Sequence, residues 1–328
     1  MGYVLGMDEA GLGPNLGPFL LGISVWKVPG SPADFDWETA LAKTVTTVPN
    51  WKGAPDRPLA ITDSKKLYQT SRGVGLLERA LWASFAQRDT WPTSWEECWK
   101  TLSPSSLPSP AFPWYAHYQE RLPQILTLTE IQQVGKLWND GLGNASLLLK
   151  KLEAQACFVS EWNEEIDRYK NKSIVLTQRS LQFLRGILEA EVLPSASQSA
   201  EEIEILCDKH GARNHYAAVL WEFFPDSPIQ TLQESHACST YRFLLEGCPV
   251  RISFRKSADS LLPVAYASIA AKYMRECAMK AINTFWQEKV PGLKATAGYP
   301  VDARRFLQEI EPIQRTLGIP LEWIWRVK

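Results

Sequence analysis

From its first residues the chain alternates apolar and polar or small positions. Tyr3, Leu5 and Met7 alternate with Val4, Gly6 and Asp8, a period of two that predicts a β-strand over residues 3–8. A turn rich in Gly and Pro follows at 10–18. A second apolar run then covers 19–28 and includes Ile23, Val25 and Trp26, so the two runs predict a hairpin. Residues 30–58 hold several prolines and read as loop. The pattern at 76–85 is helical, and two further helices are expected over 147–169 and 174–192, before a polar loop at 194–200. Short strands are expected at 202–208, reading EIEILCD, and at 250–254. From 263 to about 286, Ala267, Ala271, Met274, Ala278 and Ile282 recur at steps of three and four, which predicts a long helix. Ser260 and Pro263 suit its start. No internal repeat is visible. Strands that come first and then alternate with helices place the chain in the α/β class, with a mixed sheet flanked by helices.

One stretch breaks this rhythm. Residues 101–113 hold four Pro and four Ser, and about half of the 14 Trp lie between Trp82 and Trp162. Residues 88–146 therefore read as an insertion or lid within a single domain spanning 1–328. Its aromatic side chains suit a nucleic-acid-stacking surface, a protein-docking face or, more plainly, a small satellite core.

Composition narrows the function classes only a little. Lys+Arg is 35 against Asp+Glu 36, so no strongly basic balance points to nucleic acid, though a local basic cleft fits a neutral chain. Asp8 and Glu9 fall where a signal peptide would need an apolar core. No apolar run approaches the ~18 residues of a membrane span. Six scattered cysteines with no C-x-x-C pair read as reduced thiols, so a cytoplasmic protein is expected.

Candidate chemistry rests on acids at strand ends, where a carboxylate is costly unless it is paired or faces a cleft. Asp8 and Glu9 end the first strand, Asp208 ends the EIEILCD strand, and Asp259 precedes the long helix. Taken singly, each is also explained as a solvated cap or turn. Gathered together, they would suit two hard divalent cations and phosphodiester chemistry. His210 and His215 flank Asp208 without the company a zinc site needs. Gly11-x-Gly13 is not a dinucleotide loop, because prolines and a strand follow where a helix should start.

Five segments in order resemble the type 2 ribonuclease H family, that is, ribonucleases HII and HIII. They are MDEAGLGPNLGP at 7–18, DSKKL at 63–67 with Arg72 after it, EEIDRYKNKSIVLTQRSL at 164–181, KSADSLLPVAYASIAAKYMRE at 256–276 and AGYP at 297–300. The resemblance covers roughly residues 1–85 and 155–306. It implies a ribonuclease H-like sheet with a C-terminal helical part, and it implies an endoribonuclease. Such an enzyme hydrolyses RNA in RNA–DNA hybrids, or at ribonucleotides embedded in duplex DNA, leaving 5′-phosphate and 3′-hydroxyl ends. It further implies Mg2+ or Mn2+ in a two-metal site held by Asp8, Glu9, Asp208 and Asp259. The family usually has Asp-Gly at the third acid. This chain reads Asp208-Lys209-His210-Gly211, which keeps Asp226 and Asp167 open as other candidates.

Substrate contacts are expected from Gly11, Leu12 and Gly13, from Ser64, Lys65 and Lys66, and from Tyr299, whose ring suits stacking at the cleavage junction. Amides of a glycine loop can bind a ribose 2′-hydroxyl and its phosphates through backbone alone. The family's loop is usually Gly-Arg-Gly, so Leu12 removes a phosphate contact. Arg255 and Lys256 add positive charge near Asp259. The rival reading is a catalytically altered nucleic-acid-binding relative without ribonuclease H activity. A protein partner through the insertion is a further expectation.

Overall fold

Alternate side chains of the first strand meet two different cores. A computed structural model describes residues 1–49, 57–69, 71–87 and 90–327. In β1 (Gly2–Ala10), Val4 and Ala10 join one buried cluster while Tyr3, Leu5 and Met7 join another. β2 (Phe19–Val28) divides the same way, with Leu20 and Trp26 on one side and Phe19, Leu21, Ile23 and Val25 on the other. Both faces are covered, which is why these runs read as almost continuously apolar.

The remaining strands of the main sheet are β3 (Leu148–Cys157), β4 (Ile203–Asp208), β5 (Gln230–Glu234), β6 (Cys238–Leu245) and β7 (Cys248–Arg255), and Val45–Thr46 pairs with Leu59–Ala60 in a separate two-stranded sheet. The main sheet is mixed, in the order β3-β2-β1-β4-β7-β6-β5. β4 runs parallel to both β1 and β7, and the other pairings are antiparallel. The helices are α1 (Ser64–Leu67), α2 (Gly75–Ala86), α3 (Trp95–Leu102), α4 (Leu128–Asn144), α5 (Val159–Tyr169), α6 (Lys172–Ile187), α7 (Ala217–Phe223), α8 (Leu262–Lys289) and α9 (Pro300–Thr316). α8 covers one sheet face together with α2, α3 and α4, while α5, α6 and α7 cover the other. This is the α/β class with a mixed, helix-flanked sheet that the pattern predicts. No described helix is long and apolar enough to cross a membrane. All six cysteines are free, as expected.

Three expectations need correction. The helix expected over 147–169 is a strand followed by a helix: β3 pairs with β2, and Leu152, Ala154 and Ala156 face the α8 core at every second position. That short period of two is masked by the charged positions between it. The loop expected at 194–200 is mostly helical turns. β5 and β6 carry too many polar residues to stand out, because β5 is an exposed edge. In the loop expected at 30–58, short helical turns occur at Pro32–Asp34 and Trp37–Ala40, and residues 50–56 lie outside the described residues.

The start of the expected insertion, residues 88 and 89, also lies outside them. Beyond it the aromatic side chains are spent internally. Trp95, Trp99, Trp114 and Trp138 are buried in the α8 core, and Trp138 stacks on Tyr266. They join the main core on the α8 face and not a small satellite core, and their burial removes those rings as a stacking surface. Glu78, buried on α2, fastens the segment: its carboxylate accepts from the Gln124 and Ile125 amides and from the Tyr273 hydroxyl.

α8 lies unusually close to the hairpin. A Cβ placed on Gly6 would stand 2.1 Å from the Pro263 carbonyl carbon, and one on Gly22 would stand 2.1 Å from Ala267 O. The helix backbone thus rests on the strand backbone at two points, and Ser24 Oγ donates to Pro263 O at 2.6 Å beside them. The space is backbone on both sides and cannot yield locally. Gly6→Ala should therefore cost about 2 kcal/mol or more, at the upper end of overpacking effects. Chemical denaturation checks this, and an unchanged midpoint would show that α8 can shift away from β1.

Candidate active site

The parallel strands β1, β4 and β7 end at the same side of the sheet, and the acids sit there. Met7 pairs with Cys207, so Asp8 and Asp208 follow as neighbours on adjoining strands. Parity fixes their face. Val4 and Leu206 belong to the α8 core, and Asp8 and Asp208 stand an even number of residues beyond them. Asp208 pairs with Arg255 at the end of β7, from which a short turn (Ala258–Ser260) carries Asp259 to the start of α8. The Ala258 amide donates to Asp208 Oδ1 at 3.1 Å, closing the gap between the two segments.

The four carboxylates feel one another. Burial pushes Asp8 up to about 7; Ser268 and the Glu9 amide oppose this, and the charges of Asp208 and Asp259 add to it. Burial raises Glu9 well above the usual carboxylate range, with Asp8 and Asp208 adding to it and Lys65 opposing. Asp208 is raised by burial against the Ala258 and Lys209 amides. Asp259 is raised by burial, then by Asp63 and Asp208. Lys65 is the nearby counter-charge. Burial works against its proton, but Asp63, Asp8, Asp259 and Glu9 together raise its pKa. Asp63 caps α1 by accepting from the Lys65 amide, and this sets the lysine beside the acids.

No three His, Cys, Asp or Glu side chains among the described residues form a ready-made metal cage. The donor chemistry nevertheless fits hard divalent cations. Four carboxylates from three chain-distant segments lie within Coulombic reach, they are all oxygen donors, and their mutual repulsion is offset mainly by one lysine.

The alternatives for the third acid lie elsewhere. Asp167 is exposed and paired with Lys170 at 2.8 Å. Asp226 shares a surface cavity with Gly247, just before β7 begins and so at the opposite end of that strand. The Lys209-His210 departure turns away from the acids. Lys209 Nζ bonds Ser235 O at 2.6 Å and Asn214 Oδ1 at 2.7 Å. His210 is buried against Thr177 at 3.1 Å, and burial pushes it down to about 3, so it is a neutral core residue.

Among the expected substrate contacts, Lys65 and Lys66 are exposed and Tyr299 is 57% exposed. A Cβ on Gly13 would stand 3.7 Å from the Tyr299 ring, so the AGYP segment meets the glycine loop. The Asn15 amide donates to Gly298 O at 2.7 Å at the same junction. Two expectations change. Ser64 is buried, and its hydroxyl shares a 2.9 Å hydrogen bond with that of Ser268, so it supports the Asp8 side of the site from below. The Leu12 side chain packs against the core on the α5 side, which leaves only its backbone to face a ligand. Sequence reasoning missed Ser268, although it is a lone hydroxyl in an Ala-rich helix. It also missed Lys65 as a partner of the acids.

No protein-family model matches the chain, and no curated protein matches it. Solved structures similar to it include ribonuclease HII of Archaeoglobus fulgidus in its complex with PCNA, at 13% identity and TM-score 0.40 over 99% of this chain and 94% of that one. Ribonuclease H2 of Pyrococcus horikoshii OT3 gives 14% and 0.39 over 98% and 92%. Bst-RNase HIII in complex with Mn2+ gives 14% and 0.39 over 99% and 66%. TM-scores this low decide nothing about chemistry, and the functional reading rests on the residues above.

The raised Asp8 pKa has a direct consequence for stability. The folded state holds this proton longer than the unfolded chain, so ionisation opposes folding. Below the ordinary value of 3.8 both states are protonated and nothing is lost; the loss accumulates as pH rises to about 7. Without divalent metal, Asp8→Asn should therefore melt above wild type at pH 8, by about 2–4 °C for on the order of 1 kcal/mol. The difference should vanish near pH 4. Equal melting at both pH values would mean that ionising Asp8 costs the fold nothing.

Proposed function

We propose that the chain is a metal-dependent endoribonuclease of the type 2 ribonuclease H kind, acting on RNA–DNA hybrids or on ribonucleotides embedded in duplex DNA. The observation that carries this reading is the convergence of Asp8, Glu9, Asp208 and Asp259 at one end of the parallel strands, with proton affinities raised mainly by burial and, at Asp8, Glu9 and Asp259, also by neighbouring acids. A purely structural role gives no reason to gather four carboxylates where each destabilises the others. Two divalent ions, Mg2+ or Mn2+, would supply Lewis-acid activation of a water and stabilisation of the leaving oxygen.

The chain's own groups do the rest. Ser268, backed by Ser64, orients the Asp8 carboxylate, and the Ala258 amide orients that of Asp208. Lys66 is exposed next to Asp259 and suits a substrate phosphate. The glycine loop offers backbone amides to a ribose and its phosphates, and Tyr299 beside it offers an exposed ring. Segment 88–146 is proposed as an insertion that buttresses α8.

A second reading, a nucleic-acid-binding relative without cleavage, draws on Lys65. Its ammonium already neutralises part of the acid cluster.

A cleavage assay separates the two. The substrate is a duplex with one embedded ribonucleotide, run with Mg2+ or Mn2+ against chelator and beside an all-DNA duplex. Metal-dependent cutting on the 5′ side of the ribonucleotide is expected. Asp8→Asn and Asp208→Asn should each lower kcat by about a hundredfold or more, while Asp167→Asn, outside the cluster, should not. Binding without cleavage under any divalent ion would favour the second reading.

A further inference from the structure

The glycine loop is held from the far end of the sequence by a residue outside all five family-like segments. Arg326 is 1% exposed. Its Nη2 donates to Gly11 O at 2.5 Å and Pro14 O at 2.6 Å, with Leu12 O at 3.4 Å. The guanidinium lies 4.7 Å from the centroid of the Trp162 ring. Its Nε and Nη1 have no hydrogen-bond partner among the described residues. No carboxylate among the described residues compensates it, and the main charge that acts on it is another buried arginine, Arg275.

The surrounding segment is bolted down. The Arg326 amide donates to Asn15 O at 2.8 Å, and Asn15 Nδ2 returns a bond to Arg326 O at 2.9 Å. Asn163 and Trp162 of α5 hold the carbonyls of Trp325 and Val327.

A buried, unpaired cation is costly, and an apolar side chain of similar length would fill the same space at lower cost. What only the guanidinium does is gather carbonyls. With the carbonyls of Gly11, Leu12 and Pro14 turned inward to it, the loop's amides are left for the opposite side. The N–H groups of Leu12 and Gly13 have no partner among the described residues.

We propose that Arg326 is a positioning residue that fixes the glycine loop with its amides outward, so that residues 321–327 form part of the ribose and phosphate recognition site. This rests on the reading of the chain as a ribonucleotide-directed nuclease. Specificity for the 2′-hydroxyl then depends on a contact made behind the loop, and the Leu12 side chain contributes only packing.

The test compares wild type, Arg326→Lys and Arg326→Met. Binding is measured with Ca2+ in place of Mg2+, to the duplex with one ribonucleotide and to the all-DNA duplex, with thermal melting in parallel. Lysine keeps the charge and nearly the length but cannot span the same carbonyls. Arg326→Lys should therefore melt close to wild type, yet lose about tenfold of the preference for the ribonucleotide. With Mg2+, its KM should rise more than its kcat falls. An unchanged preference in Arg326→Lys overturns the proposal, whether or not Arg326→Met folds. A lowered melting temperature with preference intact does the same, because it leaves Arg326 a structural role alone. Wild type lacking any preference would instead overturn the endoribonuclease reading, and the loop proposal with it. The variants are judged only against a preference that wild type displays, so the two failures are distinct.

Discussion

The seating of α8 on the β1–β2 hairpin is the constraint on which the rest of the site depends. At Gly6 and Gly22 no side chain separates helix from strand, so the two backbones touch. Ordinary helix–sheet packing keeps the elements a side chain apart. Here that layer is absent, and the first turns of α8 come level with the end of β1. Ser268 can then reach Asp8, and Asp259 enters the Coulombic reach of Asp208. Widening the gap by one methyl group would move Ser268 with the helix, and with it the short turn that carries Asp259 into the helix start.

This arrangement brings like charges together and leaves them partly uncompensated. The same economy appears on the other side of the loop, where Arg326 is buried with no carboxylate acting on it among the described residues, and Arg275 is buried with only Glu276, itself paired with Lys272, nearby. Opposite charges are thus kept apart, the acids at the strand ends and the guanidinia behind the glycine loop. Had they paired directly, both would have been more stable and neither would face a ligand. Keeping them apart leaves carboxylates at the strand ends and a glycine loop beside them, a charge pattern that would suit the proposed phosphodiester with divalent ions.

Much of this was legible in the sequence, for identifiable reasons. β1, β2, β4, β7 and α8 are buried on a regular period, so their residues announce them. The acids could be marked because a carboxylate at the end of an apolar strand is conspicuous. Their convergence could not be read from spacing, since it depends on the parallel register of β1 with β4. β3 was hidden because Lys150, Lys151 and Glu153 interrupt its apolar alternation, and Lys151 and Glu153 pair with each other on the strand. Leu12 was placed at the ligand because the glycine loop was expected there, whereas its side chain turns to the α5 core. Arg326 could not be found at all. Its acceptor Gly11 lies 315 residues away, and nothing in the local sequence near residue 326 marks it as buried.

The two halves of the site are both braced by α8. Ser268 supports the Asp8 carboxylate, and Arg275 donates to Leu16 O at the foot of the glycine loop and to Ala297 O before Tyr299. Seven residues separate them, so they share a helix face and lie about 10 Å apart along the axis. Lys272 between them lies over the Tyr68 ring and pairs with Glu276. The distance from Asp8 and Glu9 to the loop is set by chain contiguity, since Gly11 follows β1 directly, and α8 braces both ends from one face. A segment outside both, such as the strap carrying Arg326, can alter the orientation of the loop but not its separation from those carboxylates. Position and orientation thus have different sources, the first in the strand that carries both acids and loop and the second in the buried guanidinium of Arg326 behind it.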